Sequence, residues 1–227
     1  MNFFQIKEWE TLFCKHLDQH LSQLQSVDAS HDLAHVKRVA QTAQMLCVKE
    51  GGDLAIVTPA VWFHDYVIVP KNDPRRSQAS RMSAQEATGV LSSMGYPAEY
   101  LSAIAHAIEA HSFSAQIHCR TLEARVVQDA DRLDALGAIG LARLFNTSGQ
   151  MGSRLYQEPD PFAQNRSLDD RVFALDHIFK KLYPIVTTLQ TDAGRQEGLR
   201  RKRFLEAFVD QLAGELGMNE AAGKELN

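Results

Sequence analysis

The stretch Trp62-Phe63-His64-Asp65-Tyr66 (WFHDY) places a histidine and an aspartate directly after an apolar helical run. Because the two polar residues continue an apolar segment, we expect both of them to be buried. A buried imidazole and a buried carboxylate need partners, and one cation can satisfy both at once. The pair therefore indicates a metal-binding centre carried by a helical framework.

Apolar residues in the rest of the chain recur every three or four positions, which is typical of amphipathic helices. We expect a helix in the N-terminal segment and a second helix between an N-cap at Ser30 and the stop signal Gly51-Gly52. A third is expected from Ala60, with Pro59 in its first turn. Further helices are predicted at residues 78–94, 97–111, 120–145, 168–190 and 192–216. The sequence therefore predicts an all-α protein.

Two stretches interrupt this helical pattern. Residues 70–77 form a charged loop that contains Pro70 and Pro74, and residues 146–167 are rich in glycine and proline. The second stretch is longer than an ordinary connector, which favours a lid or a binding loop. We expect a single compact helical domain over residues 1–227, with a core at about 25–145 and C-terminal helices at 168–216 packed on it.

The composition narrows the functional classes. The chain of 227 residues has 44% hydrophobic residues, too many for a disordered chain, and it has no window as apolar as a membrane span. With 24 Lys+Arg against 28 Asp+Glu, its net charge is −4, which argues against a nucleic-acid partner. Three cysteines without a CxxC motif and a charged N-terminal segment, unlike a secretory signal, predict a cytoplasmic protein.

A second group of chemically informative residues is the run Gln128-Asp129-Ala130-Asp131-Arg132-Leu133-Asp134. Core-like residues surround these acids, and on a helical wheel Asp131 falls among them, so that it can face inward. His35 lies on another predicted helix. Imidazole and carboxylate ligands together suit a borderline-to-hard divalent cation.

With these residues, the chain resembles the HD-domain metal-dependent phosphohydrolases. That family has a helix with one histidine, a later adjacent His-Asp pair, and a distant aspartate on another helix. The matching residues here are His35 in SHDLAHVKRV, His64 and Asp65 in WFHDY, and Asp131 in QDADRLDALGAIG. The resemblance extends over about residues 25–212 and is strongest to the small bacterial branch of the family.

The resemblance implies a divalent metal ion, Mn²⁺, Fe²⁺, Co²⁺, Ni²⁺ or Mg²⁺, held by His35, His64, Asp65 and Asp131. It also implies hydrolysis of a small phosphorylated substrate, above all a nucleotide, since the small branch includes nucleoside triphosphate pyrophosphohydrolases. The alternative is a non-catalytic sensor or interaction module that binds a nucleotide at the same site. The oligomeric state stays open between a monomer and a homodimer.

Other residues have supporting roles in this interpretation. Asp65, Glu86 and Asp129 are candidates for the catalytic base, in that order of preference, and Asp73 is a further candidate acid. Phosphate recognition is expected from four basic residues, because Arg and Lys suit phosphate. They are Lys71, Arg75, Arg76 and Arg132.

His106 and His111 are available for a second metal ion. Five residues on one helix correspond to about 140° around the wheel, so the two rings cannot easily face one ion unless the helix ends between them. We therefore favour one metal ion.

Overall fold

The described part of the chain is mainly helical, as the periodicity of its apolar residues predicts. The computed structural model describes residues 1, 3–23, 32–69 and 73–218, and 71% of these described residues are helical, without a strand among them. This confirms the predicted all-α class. None of the helices in the same ranges has the combined length and hydropathy needed to cross a bilayer.

The longer helices are α1 (Phe3–Ser22), α2 (Leu33–Glu50), α3 (Leu54–Phe63), α4 (Ala79–Ser93), α5 (Ala98–His111), α6 (Leu122–Leu133) and α7 (Gly137–Gln150). A 3-10 turn, Pro74–Gln78, precedes α4. A broken helical segment follows later, made of α8 (Ala174–His177), a π turn (Ile178–Leu182), α9 (Tyr183–Ile185) and a 3-10 turn (Val186–Thr188). The last helix is α10 (Asp192–Glu215).

The chain divides into two compact units. The first consists of Met1–Asp131 together with Gln190–Gly194, and the second of Arg132–Leu189 together with Arg195–Asn227. In the first unit, α3 packs against α1, α2 and α5, and α4 packs against α5. The prediction of one domain over residues 1–227 stays a prediction.

Helix α2 begins and ends at well-defined capping residues. Asp32 is its N-cap, and the carboxylate accepts a 2.8 Å hydrogen bond from the backbone N–H of His35. Gly51 ends the helix in the left-handed conformation, with φ at +75°. The predicted N-cap, Ser30, lies outside the described residues, and the cap that the structure describes is Asp32. This cap fixes the first turn of α2, in which His35 lies.

Helix α3 begins six residues before the predicted start, at Leu54, where Asp53 is the N-cap. The prediction that Pro59 lies in the first turn is therefore wrong, because Pro59 is inside the helix. Proline lacks the N–H that would bond to the carbonyl four residues earlier. That carbonyl, of Ala55, instead accepts a 2.6 Å hydrogen bond from the hydroxyl of Tyr96. A side chain thus replaces the bond that the proline cannot make.

Glu10 on α1 links that helix to α2 and α3 by side-chain hydrogen bonds. Its Oε1 accepts hydrogen bonds from the Gln44 side chain on α2 and from the indole N–H of Trp62 on α3, at 2.5 and 3.2 Å. The indole N–H of Trp62 is thereby satisfied as the end of α3 becomes buried, and His64 follows two residues later.

The predicted continuous helix at 120–145 is wrong, since α6 and α7 are separate. Helix α6 ends at Leu133, and the chain turns before Gly137, whose φ is +71°. Within the second unit, the guanidinium of Arg201 donates a 2.6 Å hydrogen bond to the Leu133 carbonyl, which satisfies one of the terminal carbonyl groups of α6. A β-branched or other large residue would not adopt the backbone conformation of Gly137 without strain.

The predicted irregular stretch at 146–167 begins later than expected, because α7 continues to Gln150. The stretch that follows is held by hydrogen bonds of the second unit. Backbone groups of Arg154 pair with Val172 and Ala174, and Arg166 forms an ion pair with the fully buried Asp176. Its function as a lid or a binding loop stays a prediction.

Candidate metal centre

Three side chains from different helices meet in the first unit. Nε2 of His35 lies 3.6 Å from Oδ1 of Asp131, and Nε2 of His64 lies 3.8 Å from the same oxygen. The two imidazoles are almost entirely buried, whereas the Asp131 side chain is 30% exposed. The three ligand atoms lie within 4.8 Å of one another, which is compact enough for a single metal ion.

Asp65 joins this group to a further histidine. Its Oδ2 lies 3.3 Å from Nε2 of His64, and its Oδ1 lies 3.5 Å from Nε2 of His111. The rings of His64 and His111 meet edge to face, with centroids 4.9 Å apart. The carboxylate of Asp65 therefore has one oxygen toward each imidazole.

Helix ends supply most of these side chains. His35 lies in the first turn of α2, His64 is the C-cap of α3 with Asp65 directly after it, and His111 is the last residue of α5. Asp131 lies in the last turn of α6. Because these side chains come from helix ends, they can converge on one point while the middle of each helix stays away from the polar cluster.

The tautomers of two histidines follow from their second nitrogen. Nδ1 of His64 lies 2.7 Å from the Val61 carbonyl, and Nδ1 of His111 lies 2.6 Å from the Ile108 carbonyl. A carbonyl oxygen can only accept, so Nδ1 carries the proton in each ring and donates it. In the neutral ring, Nε2 then has a free lone pair directed toward the carboxylates, which is how metal-binding histidines are usually held.

The charges around His64 are strongly negative. Burial alone would lower the pKa of this imidazole, but the neighbouring carboxylates of Asp65 and Asp131 outweigh burial and raise its pKa to about 9. Nε2 of His64 is fully buried and makes no geometrically acceptable hydrogen bond with the described residues. A divalent cation at this point would both satisfy the nitrogen and neutralise the two carboxylates.

The donor set fits such an ion. Two ligands bound side by side at about 2.1 Å from one ion are about 3 Å apart, and two opposite ligands are about 4 Å apart. The nitrogen-to-oxygen separations of 3.3 to 3.8 Å fall within this interval. Imidazole nitrogen with carboxylate oxygen, and no thiolate, favours the Mn²⁺-to-Ni²⁺ series over a structural zinc site.

Glu86, the second candidate base, is exposed on α4. It lies near Tyr66, whose pKa is raised by burial and by the charge of Glu86. Asp73 caps the 3-10 turn and accepts hydrogen bonds from Arg75, which lower the pKa of the carboxyl to about 2. The Asp73 carboxylate is therefore paired with Arg75 in an exposed part of the chain.

The basic residues predicted to bind phosphate have varied surroundings. Arg75 is exposed and paired with Asp73 at 2.8 Å, and Arg76 donates a 2.8 Å hydrogen bond to the Val69 carbonyl. Arg132 belongs to the second unit, where its guanidinium donates to the Thr188 carbonyl at 2.6 Å. Lys71 lies outside the described residues.

Asp129, the third candidate base, is completely buried and has another task. Its carboxylate accepts hydrogen bonds from the backbone N–H groups of Gln190 and Thr191 and from the Thr191 hydroxyl, at 2.7 to 3.1 Å. A side chain on Gly194 would collide with the same carboxylate. Asp129 thus holds residues 190–194 in the first unit.

His106 and His111 face different surroundings, as their spacing on the helix predicts, but the spacing does not indicate which of them lies near the metal centre. Nε2 of His106 accepts a 3.0 Å hydrogen bond from the backbone N–H of Arg120, whereas His111 faces Asp65. The available signal was the helix boundary, because a histidine at the last helical position, followed by the irregular residues 112–121, can turn toward a neighbouring helix end.

Comparisons with known proteins agree with this arrangement. A model of the HD domain family matches residues 32–136, which contain all five residues of the cluster. The uncharacterized protein YpgQ of Bacillus subtilis is 32% identical over 206 residues, covering 87% of this chain and 92% of YpgQ.

Solved structures show the same fold. The crystal structure of B. subtilis YpgQ in complex with ADP matches with a TM-score of 0.67 and 34% identity, over 87% of this chain and 96% of that one. An HD-superfamily hydrolase from Bacillus thuringiensis matches with a TM-score of 0.74 and 27% identity, over 94% of this chain and all of that one. HD domains bind divalent metal ions, and the His and Asp groups described above could hold one. The predicted resemblance is thereby confirmed, and this chain belongs to the HD-domain phosphohydrolase superfamily.

Proposed function

We propose that this protein is a divalent-metal-dependent hydrolase of a nucleotide or a similar small phosphorylated metabolite. The observation that carries the proposal is the convergence of His35, His64 and Asp131, with Asp65 against His64. We assign these four residues as the metal ligands. When bound, the ion supplies positive charge that polarises a phosphate oxygen and lowers the pKa of a water molecule.

A carboxylate of this chain would act as the catalytic base. Asp65 is our first choice for the base, because its carboxylate is 22% exposed and lies between two imidazoles that fix its orientation. His111 orients the second oxygen of that carboxylate. Glu86 is the second choice, because it is exposed near Tyr66, the residue that follows Asp65.

Substrate phosphate would be bound by the basic residues Lys71, Arg75, Arg76 and Arg132. Of these, Arg75 and Arg76 lie on the segment that leads from Asp65 to α4, which keeps them close to the metal ligands in sequence. A planar guanidinium can bind two phosphate oxygens at once. Binding of a nucleotide is supported by the relative YpgQ, which has been crystallised with ADP.

Within this class we propose cleavage of a nucleoside triphosphate by one water molecule to a nucleoside monophosphate and pyrophosphate. The test begins with protein stripped by a chelator and reloaded with Mn²⁺, Co²⁺, Ni²⁺ or Mg²⁺. It is incubated with nucleoside mono-, di- and triphosphates and sugar phosphates, and the products are identified by mass. We expect turnover that requires metal and releases pyrophosphate rather than orthophosphate. Asp131→Ala is the matched inactive control.

Two outcomes contradict the proposal. If metal-loaded protein hydrolyses no member of the panel, the enzyme assignment is wrong. If a nucleotide raises the thermal midpoint as a bound ligand must, yet no product forms, the protein is instead a nucleotide-binding sensor that uses the same site.

A further inference from the structure

The last turn of α5 is unusual in how its carbonyl groups are used. A helix leaves its last four carbonyls without an intrahelical donor, and at a buried helix end other groups must satisfy them. In α5, the three carbonyls directly before His111 each accept a hydrogen bond from a side chain. They belong to Ile108, Glu109 and Ala110.

These donors come from three different helices of the first unit, and the Ala110 carbonyl also accepts a 3.7 Å hydrogen bond from the Cys119 thiol, between α5 and α6. His111 on α5 itself donates to residue 108 at 2.6 Å, Ser80 on α4 donates to residue 109 at 3.0 Å, and Gln128 on α6 donates to residue 110 at 2.7 Å. All three side chains are buried, and those of Ser80 and Gln128 are only 2% and 5% exposed. The end of α5 is therefore fixed from two sides by groups that water does not reach.

Gln128 is itself fixed. The side chain N–H of Gln190 donates a 2.5 Å hydrogen bond to Oε1 of Gln128, so the carboxamide oxygen accepts while its nitrogen donates to the Ala110 carbonyl. The backbone N–H of Gln190 donates to Asp129, the next residue of α6. This arrangement gives the amide of Gln128 a single orientation.

We propose that Ser80 and Gln128 are positioning residues of the metal centre, which hold the last turn of α5 so that Nε2 of His111 faces Asp65. The role of this geometry in turnover rests on the proposed function. Both side chains donate to backbone carbonyls of α5, so each acts on His111 through the backbone of that helix. Misplacement of a catalytic site by about 1 Å can cost about 100-fold in rate, so loss of either donor should be visible in turnover.

The opposing explanation is that both side chains only stabilise the fold. Tyr96 provides a matched control, because its buried hydroxyl likewise donates to a backbone carbonyl, that of Ala55 in the first turn of α3. Tyr96→Phe removes one buried hydrogen bond of the same kind but leaves the last turn of α5 intact. Gln128→Met and Ser80→Ala remove the two bonds in question and introduce no charge.

The experiment measures three quantities on the full chain. The ring signals of His111 are recorded by ¹H–¹⁵N NMR on metal-free protein at a pH where the ring is neutral, and they report which nitrogen carries the proton. Thermal midpoints and Mn²⁺ stoichiometry are measured next. Finally, kcat and KM are measured at saturating Mn²⁺ with the best substrate of the panel.

We expect Gln128→Met and Ser80→Ala each to shift or broaden the His111 signals and to lower kcat at least tenfold, with KM within twofold. Tyr96→Phe should lower the thermal midpoint at least as much but leave the His111 signals and kcat within twofold of the parent. Unchanged His111 signals in both variants, or an equal loss of kcat in Tyr96→Phe, would overturn the proposal.

The proposed function and the positioning role of Ser80 and Gln128 can fail separately. If the parent protein hydrolyses nothing, the proposed function is wrong, whereas the His111 signals of the variants still decide whether Ser80 and Gln128 position that ring. If Gln128→Met does not fold, Ser80→Ala gives the decision alone, because it removes only one hydroxyl and leaves Gln128 in place.

Discussion

Oδ1 of Asp65 lies 3.5 Å from Nε2 of His111, although the two residues are on different helix ends and 46 positions apart in sequence. The other oxygen of the same carboxylate lies 3.3 Å from His64. The adjacent His-Asp pair is therefore only part of the arrangement, since the aspartate also has a partner from α5. This partner distinguishes His111 from the other histidine of that helix, His106.

We expect His111→Gln to lower kcat by about 10- to 100-fold, the range usual when a group that orients a metal ligand is lost. His106→Gln should keep kcat within about twofold, because His106 only accepts a hydrogen bond from Arg120 and the new amide can still accept one. Both variants should be compared at saturating metal. Similar losses in the two would mean that His111 acts only through the stability of α5.

Asp131→Asn should weaken Mn²⁺ binding by at least about tenfold, measured by calorimetry on chelator-treated protein. The substitution removes the negative charge that His35 and His64 share, while the side chain keeps nearly the same shape. Asp18→Asn, at an exposed position on α1, is the control for loss of one acidic charge. A dissociation constant unchanged in Asp131→Asn would remove this residue from the proposed ligand set.

Arg75 and Asp73 give a pair of predictions with opposite signs. The guanidinium of Arg75 is held by the Asp73 carboxylate at 2.8 Å, so phosphate would have to compete for it. Arg75→Ala should raise KM several-fold, whereas Asp73→Asn should lower KM because the amide can still cap the 3-10 turn but no longer attracts the guanidinium. Metal content should not change in either variant. If KM is the same in both, Arg75 does not contact the substrate.

The helical class and the candidate metal ligands of this protein can be predicted from periodicity and residue chemistry in the sequence. His35, His64 and Asp131 were each placed on a different predicted helix, and the structure brings them within one cluster. Their convergence could be expected because a buried imidazole or carboxylate needs a partner. The identity of the partner from α5 could not be deduced, because it depends on where that helix ends.

Where the structure differs from the sequence-based predictions, tertiary contacts are the cause. Pro59 predicts a helix start near residue 60, whereas α3 starts at Leu54 because a distant tyrosine compensates for the missing N–H of the proline. Asp129, the third candidate base, instead accepts hydrogen bonds from the backbone N–H groups of residues 190 and 191. Neither contact can be predicted from the neighbouring residues in the sequence.

The compensation of Pro59 by Tyr96 can be tested by stability measurements. Tyr96→Phe leaves the buried carbonyl of Ala55 without a donor, and an unsatisfied buried acceptor costs about 1–3 kcal/mol of unfolding free energy. In Pro59→Ala, the new N–H at position 59 can donate to the same carbonyl through the ordinary helical bond. The hydroxyl of Tyr96 should then contribute less to the free energy of unfolding.

A double-mutant cycle measures this coupling. Denaturant unfolding of the parent, of each single variant and of the double variant should give a smaller loss for Tyr96→Phe in the Pro59→Ala background than in the parent, by about 1 kcal/mol or more. Any cavity left by removal of the proline ring is present in both variants of that background and cancels. Equal losses in the two backgrounds would show that Tyr96 stabilises the protein by ring packing with its aromatic neighbours Trp9 and Phe13, and not by replacing the bond that Pro59 lacks.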